Sequence, residues 1–264
     1  MTRISGIILK STREIELMRS AGRVVFQVLA KMRELAAPGV TTAELNAVAE
    51  ELIAEAGGIA LFKGVENPQA KMPFPAALCT SVNEELVHGV PSDRPLEQGD
   101  IVSIDCGVLL GGYCGDSATT LAIGEVSPEA LHLLDVTERA LEIAIEEMRP
   151  GRMWSEIASK MQAHVEREKM SVVRDFVGHG IGREMHEEPK VPNYWSDSSR
   201  AADFELATGM VLAVEPMVNI GSHRVQYGDD DGWVVVTRDR RWAAHFEHTL
   251  AITDQGVDVL TDGR

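Results

Sequence analysis

Two aspartates in the segment DCGVLLGGYCGD are the first side chains whose spacing could do chemistry. Asp105 and Asp116 flank a glycine pair at 111–112 that is suited to a two-residue hairpin turn. In that register Asp105 faces Ala118, and the aspartates are diagonal neighbours on one face, with Cβ atoms roughly 7 to 8 Å apart. No lysine or arginine lies between residues 101 and 124, so a metal ion is the natural partner for these carboxylates. Two solvent-facing aspartates on an edge hairpin are the alternative.

The segment GHGIGREMHEEP supplies two imidazoles. Glycines on both sides of His179 let the chain turn tightly and bring the ring close to another group. His186 follows, with Glu187 and Glu188 beside it. A phosphate-binding loop of the dinucleotide type is not supported, because the spacing GxGxxG is absent. A functional site and an ordinary buried histidine explain this segment equally well.

Two glutamates interrupt apolar runs further along the chain. Glu215 stands in VLAVEPMVN and Glu247 in HFEHTLAIT, and both segments are typical of strands. Buried glutamates are uncommon without a partner. For either glutamate alone, an outward-facing position on a half-buried strand is the more ordinary explanation.

Five candidates together form an oxygen-rich donor set: Asp105, Asp116, His179, Glu215 and Glu247. The set contains no thiolate, which argues against a closed structural zinc site. Four negative charges exceed the charge of one divalent ion, whereas two ions balance them. Paired metals suit hydrolysis, because they activate a bridging water and polarise a carbonyl oxygen.

Helices and strands must position these residues. Helical spacing predicts helices over 11–35, 41–56, 128–149 and from there to about residue 169. The second helix opens on the capping box Thr41-x-x-Glu44. A Pro-Gly stop separates the helices of each pair, which suggests one unit used twice and two similar halves. Chance matching explains that repetition equally well.

Six segments are rich in strand-forming residues: 76–83, 101–110, 113–123, 210–218, 233–237 and 245–253. Strands and helix pairs come in blocks, so we predict an α+β fold with helices on one side of a mainly antiparallel sheet. The proline-rich segment 67–75 is the best loop candidate.

The amino-acid composition restricts which classes of function this protein could have. The 264 residues are 44% hydrophobic and 25% charged, as in globular proteins, and the net charge of −16 disfavours binding to nucleic acid through its phosphates. Three cysteines without a CxxC pair fit a reducing compartment. We find no targeting or membrane-spanning segment, and we expect a cytoplasmic protein. Monomer and dimer are both open, and we take the monomer as the expectation.

The ordered motifs SVNEELVHGVP, DCGVLLGGYCGD, GHGIGREMHEEP, MVLAVEPMVN and HFEHT are similar to those of the type I methionine aminopeptidases. The resemblance covers essentially the whole chain and implies one catalytic domain over 1–264. It implies the pita-bread fold, in which two similar halves surround a dinuclear metal site. The implied activity is metal-dependent removal of the N-terminal methionine from nascent proteins and peptides, with preference for a small second residue.

The resemblance also implies roles for individual residues. Asp105 and Asp116 match two aspartate ligands, with Asp116 bridging two divalent ions (Co, Mn, Fe or Zn). His179 and Glu215 match ligands of one ion, and Glu247 matches a second bridging carboxylate. The implied mechanism is attack of a bridging water on the methionine carbonyl, with Glu215 as general base.

The same resemblance implies which residues contact the substrate. His88 matches a histidine near the scissile amide, and His186 matches the histidine that holds the carbonyl and the developing oxyanion. Four further residues resemble the walls of the methionine pocket, although each could belong to the core: Phe74, Cys79, Met185 and Trp233. The loop over residues 63–75 looks longer than the family's loop, which leaves its conformation and the second-residue preference open.

Three other interpretations compete. Xaa-Pro aminopeptidases and prolidases share this fold and ligand set but usually carry an extra N-terminal domain, for which a first helix at about residue 11 leaves no room. A non-catalytic peptide-binding relative would have lost its ligands. A serine hydrolase centred on Ser117 is not supported, because the sequence lacks the GxSxG elbow.

The resemblance also implies a partner near the ribosome, because the family acts on nascent chains. The acidic charge gives no support for tight binding to ribosomal RNA.

Overall fold

The computed structural model describes residues 2–4, 6–196, 202–228 and 231–264. Its four helices run over Thr12–Leu35 (α1), Thr42–Glu55 (α2), Pro128–Glu147 (α3) and Trp154–Arg167 (α4). The predicted helix pairs are therefore confirmed. Among the described residues, no helix combines the length and apolar composition that crossing a bilayer requires.

Local capping explains where the first pair of helices begins. Ser11 caps α1 and Thr41 caps α2, and each forms a capping box with the glutamate three residues later. Such a box satisfies two backbone groups that the first helical turn leaves unpaired. These boundaries were predictable because the contacts that set them span only four residues.

The strands run, in chain order, over Thr2–Ile4 (β1), Ile7–Leu9 (β2), Ile59–Ala60 (β3), Leu78–Val82 (β4), Glu85–Val87 (β5), Ile101–Leu110 (β6), Tyr113–Ala122 (β7), Ser171–Val172 (β8), Gly178–Gly180 (β9), Glu187–Val191 (β10), Val211–Val214 (β11), Met217–Asn219 (β12), Val225–Tyr227 (β13), Val235–Thr237 (β14), Ala243–His245 (β15), His248–Thr253 (β16) and Gly256–Val259 (β17). The largest described sheet has the order β10-β9-β11-β16-β17, and a second contains β3, β4, β6 and β7. The pairs within these sheets are antiparallel, as predicted.

The hairpin β6–β7 has the predicted register. Asp105 lies opposite Ala118, and Asp116 lies opposite Gly107. The two turn glycines have φ values of 60° and 82°, which match a two-residue turn that needs positive φ at both positions. Both aspartates therefore lie on one face of the ribbon.

Two segments predicted as single strands are each divided in the structure. The first splits into β11 and β12 around Glu215 and Pro216, and the second splits into β15 and β16 around Glu247. Pro216 cannot donate to a strand ladder because it has no N–H group. The chain passes there from the sheet of β9 and β16 to that of β8 and β15. Both glutamates thus stand beside strands, at the breaks between them, and the prediction of two uninterrupted strands was wrong.

Each helix pair packs on its own part of the β-structure. One apolar cluster joins α1 and α2 to β4 and β6, and another joins α3 and α4 to β11, β12 and β16. Helix α1 crosses β7 so closely that a Cβ atom on Gly115 would lie 2.7 Å from the backbone nitrogen of Gly22. This contact holds the hairpin against the helix, and the separate packing of the two helix pairs supports the prediction of two similar halves.

Candidate metal and substrate site

A cavity of about 390 Å³ brings the predicted site residues together. Its walls include every one of them: Phe74, Cys79, His88, Asp105, Asp116, His179, Met185, His186, Glu215, Trp233 and Glu247. They come from β4, from the hairpin β6–β7, from β9, from the two strand breaks and from loops. Residues separated by more than 170 positions in sequence therefore share one chamber.

The aspartates of the hairpin present unpaired oxygens to the cavity. The Oδ1 atoms of Asp105 and Asp116 are buried, with no hydrogen-bond partner among the described groups. Thr249 holds the backbone of Asp116: its hydroxyl donates to the Asp116 carbonyl at 2.8 Å and accepts from the Asp116 N–H at 3.0 Å. Buried carboxylate oxygens without a donor are costly, so this pair fits a bound cation.

His179 lies in β9, and a hydrogen bond at Nδ1 fixes the orientation of its ring. Its Nδ1 lies 3.0 Å from the carbonyl oxygen of Gly180, so Nδ1–H donates to that oxygen and Nε2 is left free to act as a ligand. A Cβ atom on Gly178 would lie 2.3 Å from the carbonyl oxygen of Ala213. The flanking glycine is thus required by the close approach of β11, rather than by the tight turn expected from the sequence.

The two glutamates converge on a histidine that sequence analysis missed. His245 Nε2 lies 3.4 Å from Glu215 Oε2 and 4.0 Å from Glu247 Oε2. Glu247 is 2% exposed, and its Oε1 has no hydrogen-bond partner among the described groups. The spacing of His245 and Glu247 in HFEHT was the available signal, because residues two apart in a strand share a face.

Three of the predicted ligands form the tightest group. One ligand atom each from Asp116, His179 and Glu247 lies within 4.8 Å of the other two. His179 Nε2 also lies 3.7 Å from Glu215 Oε1. Carboxylate oxygens and an imidazole nitrogen could hold divalent ions such as Mn, Fe, Co or Zn.

The carboxylates differ in proton affinity. Burial, reinforced by the charge of Asp116, raises the pKa of Asp105 and that of Glu247 well above their usual ranges. Burial and the nearby Glu215 raise the pKa of Asp116 to about 8. Burial would also raise the pKa of Glu215, but contact with His245 and the neighbouring imidazoles lowers it overall. Crowded carboxylates keep protons unless positive charge replaces them.

The raised carboxyl pKa values predict how the stability of metal-free protein depends on pH. The folded state then binds more protons than the unfolded chain, so stability falls as pH rises toward the folded pKa. Between about pH 6.5 and the Asp116 pKa of about 8, we expect the free energy of unfolding to fall by roughly 1 kcal/mol per pH unit for each such carboxyl. His88 and His186 contribute little in this window, because their pKa values are lowered.

Urea unfolding in a chelating buffer measures that pH dependence, and the same titration with added Mn²⁺ provides the comparison. Metal binding needs ionised carboxylates, so the added ion should stabilise more strongly at the higher pH. The Asp116→Asn variant should show a shallower slope in chelator. A stability that does not change with pH in chelator would contradict the prediction.

His88 and His186 both line the cavity, and each ring contacts other aromatic rings there. His88 has a φ of 59°, and its ring meets those of Phe176 and Trp233 edge-on at 5.5 and 6.4 Å. The ring of His186 meets that of His179 edge-on at 4.4 Å. Burial lowers the pKa of His88 to about 4 and also lowers the pKa of His186. Both rings are therefore neutral near pH 7, and each has one N–H to donate.

Apolar side chains close the other part of the cavity. Phe74 and Trp233 meet edge-on with ring centroids 5.1 Å apart, and Cys79 belongs to the same cluster. The indole N–H of Trp233 donates to the carbonyl of Met72 at 2.9 Å, which docks the predicted loop at the cavity wall. Burial raises the pKa of the Cys79 thiol well above its ordinary value, so this cysteine is a neutral apolar contact.

Further wall residues carried no sequence signal. They are Phe62, Val65, Glu66, Asn67, Phe176, Val177 and Tyr227. Most are ordinary apolar or loop residues whose neighbours along the chain form no motif. Only tertiary packing brings them to the cavity.

Comparison with known proteins agrees with this site. The model of metallopeptidase family M24 matches residues 16–254. A methionine aminopeptidase of Clostridium acetobutylicum is 47% identical, with 97% of this chain and 98% of that protein aligned. The crystal structure of methionine aminopeptidase from Rickettsia prowazekii superposes with a TM-score of 0.90 at 35% identity and covers 97% of this chain and 99% of that chain.

A more distant likeness concerns the fold alone. A prolidase from Pyrococcus furiosus superposes with a TM-score of 0.73 at 24% identity, over 97% of this chain and 66% of that chain. The shared architecture is the pita-bread fold that the motif order implied. Both the family model and the closely similar relatives span nearly the whole chain. This chain therefore belongs to metallopeptidase family M24.

Proposed function

We propose that this protein is a methionine aminopeptidase, a metal-dependent hydrolase that removes the N-terminal methionine from peptides and nascent proteins with a small second residue. The observation that carries the proposal is the composition of the one cavity. Unpaired carboxylate oxygens and free imidazole nitrogens line part of it, and Phe74, Cys79 and Trp233 line another part. An unbranched thioether side chain suits an apolar, aromatic-walled pocket. The relatives named above carry the same activity in their names.

The proposed metal ligands are Asp105, Asp116, His179, Glu215 and Glu247. Their four carboxylates carry four negative charges when ionised, which two divalent ions balance. The unpaired oxygens of Asp105, Asp116 and Glu247 support this assignment. When bound, the ions acidify a water molecule and polarise the scissile carbonyl.

Three side chains of the protein would move or hold protons. Glu215 acts as general base, since its lowered pKa keeps it ionised and His245 lies 3.4 Å away to support that charge. His186 donates its N–H to the carbonyl oxygen as negative charge builds there. His88, neutral at pH 7, assists at the amide nitrogen.

A comparison of two peptides tests the function. Metal-stripped protein is supplied with Mn²⁺ or Co²⁺ and offered Met-Ala-Ser or Ala-Pro-Ala. We expect release of methionine from the first peptide only, and only with metal. Hydrolysis of Ala-Pro-Ala would favour an Xaa-Pro peptidase or prolidase instead. Bound metal without turnover of either peptide would favour a non-catalytic peptide-binding relative.

The cellular setting follows from the same function. We propose a single catalytic domain over 1–264 that acts as a monomer in the cytoplasm, near ribosomes that present new N-termini. The net charge of −16 gives no electrostatic support for tight binding to ribosomal RNA. Sedimentation of the purified protein alone and with ribosomes would test the oligomeric state and this contact.

A further inference from the structure

A buried ion pair outside the cavity links the N-terminal strand to the loop that carries His186. Lys10 Nζ lies 2.7 Å from Glu187 Oε2, and the two side chains are 3% and 7% exposed. Among the described lysine and arginine ion pairs, no other has both side chains this deeply buried. A buried ion pair is often no more stabilising than apolar packing, so its presence here calls for a role beyond stability.

The second carboxylate oxygen of Glu187 accepts hydrogen bonds from the backbone of the same loop. Glu187 Oε1 accepts hydrogen bonds from the backbone N–H groups of Arg183 at 2.9 Å and Glu184 at 3.4 Å. Lys10 is anchored in turn, because its Nζ donates to the carbonyl of Ile8 at 3.0 Å. The Glu187 carboxylate therefore joins the two ends of segment 183–187. It also binds that segment to Lys10, which directly follows β2.

The ion pair packs directly against the loop backbone. A Cβ atom on Gly182 would lie 2.5 Å from Glu187 Oε1 and 2.6 Å from Lys10 Cε. The carbonyl of Gly182 accepts from Cys114 N–H at 2.8 Å, and the guanidinium of Arg183 lies 4.4 Å from the ring centroid of Tyr113. The loop is therefore clamped between the hairpin β6–β7 on one side and the ion pair on the other.

His186 directly precedes Glu187 in this clamped loop. Its ring lines the cavity and meets the ring of His179 at 4.4 Å, whereas the Glu187 side chain reaches Lys10. We propose that Lys10 and Glu187 are positioning residues, which hold the loop so that His186 keeps its place in the cavity. This inference rests on the proposed function, since it assigns its effect to the step that His186 assists.

Lys10→Met removes the ammonium and keeps a side chain of similar length. We expect kcat on Met-Ala-Ser to fall about 10- to 100-fold, as for other residues that orient a catalytic group, with little change in KM and with metal content retained. In His186→Ala the same substitution should lower kcat no further, because the group it positions is gone. Equal losses in both backgrounds would overturn the proposal.

Hydrogen exchange tests the clamp without reference to activity. In Lys10→Met the amides of Arg183 and Glu184 should lose protection, whereas Lys160→Met should leave them protected. Lys160 is a matched control, because its 2.7 Å ion pair with Glu147 is exposed. Unchanged protection in Lys10→Met would contradict the clamp.

Two further results separate the possible failures. Glu187→Gln keeps the side-chain volume and serves as the second variant if Lys10→Met does not fold; it should show the same loss of protection and the same non-additivity with His186→Ala. A wild-type protein that binds metal but does not turn over Met-Ala-Ser would refute the proposed function. Amide exchange would still decide whether the ion pair holds the loop.

Discussion

Glu215→Gln is expected to lose both metal and turnover. The neutral amide removes a charged ligand from the proposed donor set and also removes the group that we propose accepts a proton from the attacking water. Loss of a positioned general base lowers rates by about 10²- to 10⁴-fold. We expect kcat on Met-Ala-Ser to fall by that order, and less than the wild-type amount of metal to remain after dialysis.

Metal analysis combined with steady-state kinetics measures both effects in one preparation. Glu215→Asp separates them, since it keeps the charge but shortens the reach of the carboxylate, and it should retain more metal than Glu215→Gln. Glu146→Gln is the matched control, because that glutamate pairs with Arg139 on the exposed side of α3. Full metal content with undiminished turnover in Glu215→Gln would remove Glu215 from both roles.

His186→Ala is expected to lower kcat while leaving the metal content intact. Burial lowers the pKa of His186, so the ring is neutral at pH 7 and has one N–H, which we propose it donates to the substrate oxygen. Removing one donor from an oxyanion site lowers kcat by about 10²- to 10³-fold. Because the donor acts mainly on developing charge, KM should change far less than kcat.

The measurement is kcat and KM on Met-Ala-Ser, together with bound metal per chain. His132→Ala is the matched control: His132 is exposed and lies 3.2 Å from Glu168, away from the cavity. Loss of metal in His186→Ala would show that His186 belongs to the ligand set and would contradict its assignment as an oxyanion donor.

The resemblance at the motifs was sufficient to predict which residues meet in one cavity. Each residue named from it lines the same cavity, including pocket residues such as Phe74 and Met185 that could equally have been core. The resemblance did not single out His245, although that residue belongs to the motif HFEHT; its Nε2 lies closer to Glu215 than to Glu247. Its importance depends on the meeting of two strand breaks, and neither break is marked by the local apolar pattern.

The sequence by itself determined where the first two helices start and the register of the hairpin, and it predicted the donor set. Capping boxes such as Thr41 with Glu44, and the turn at 111–112, depend on contacts within a few residues. Tertiary structure alone decided which strands meet at the two glutamates, why Gly178 must be glycine and how Lys10 reaches Glu187. Those features arise where strands from distant parts of the chain approach each other, and such contacts leave no periodicity in the sequence around any one of them.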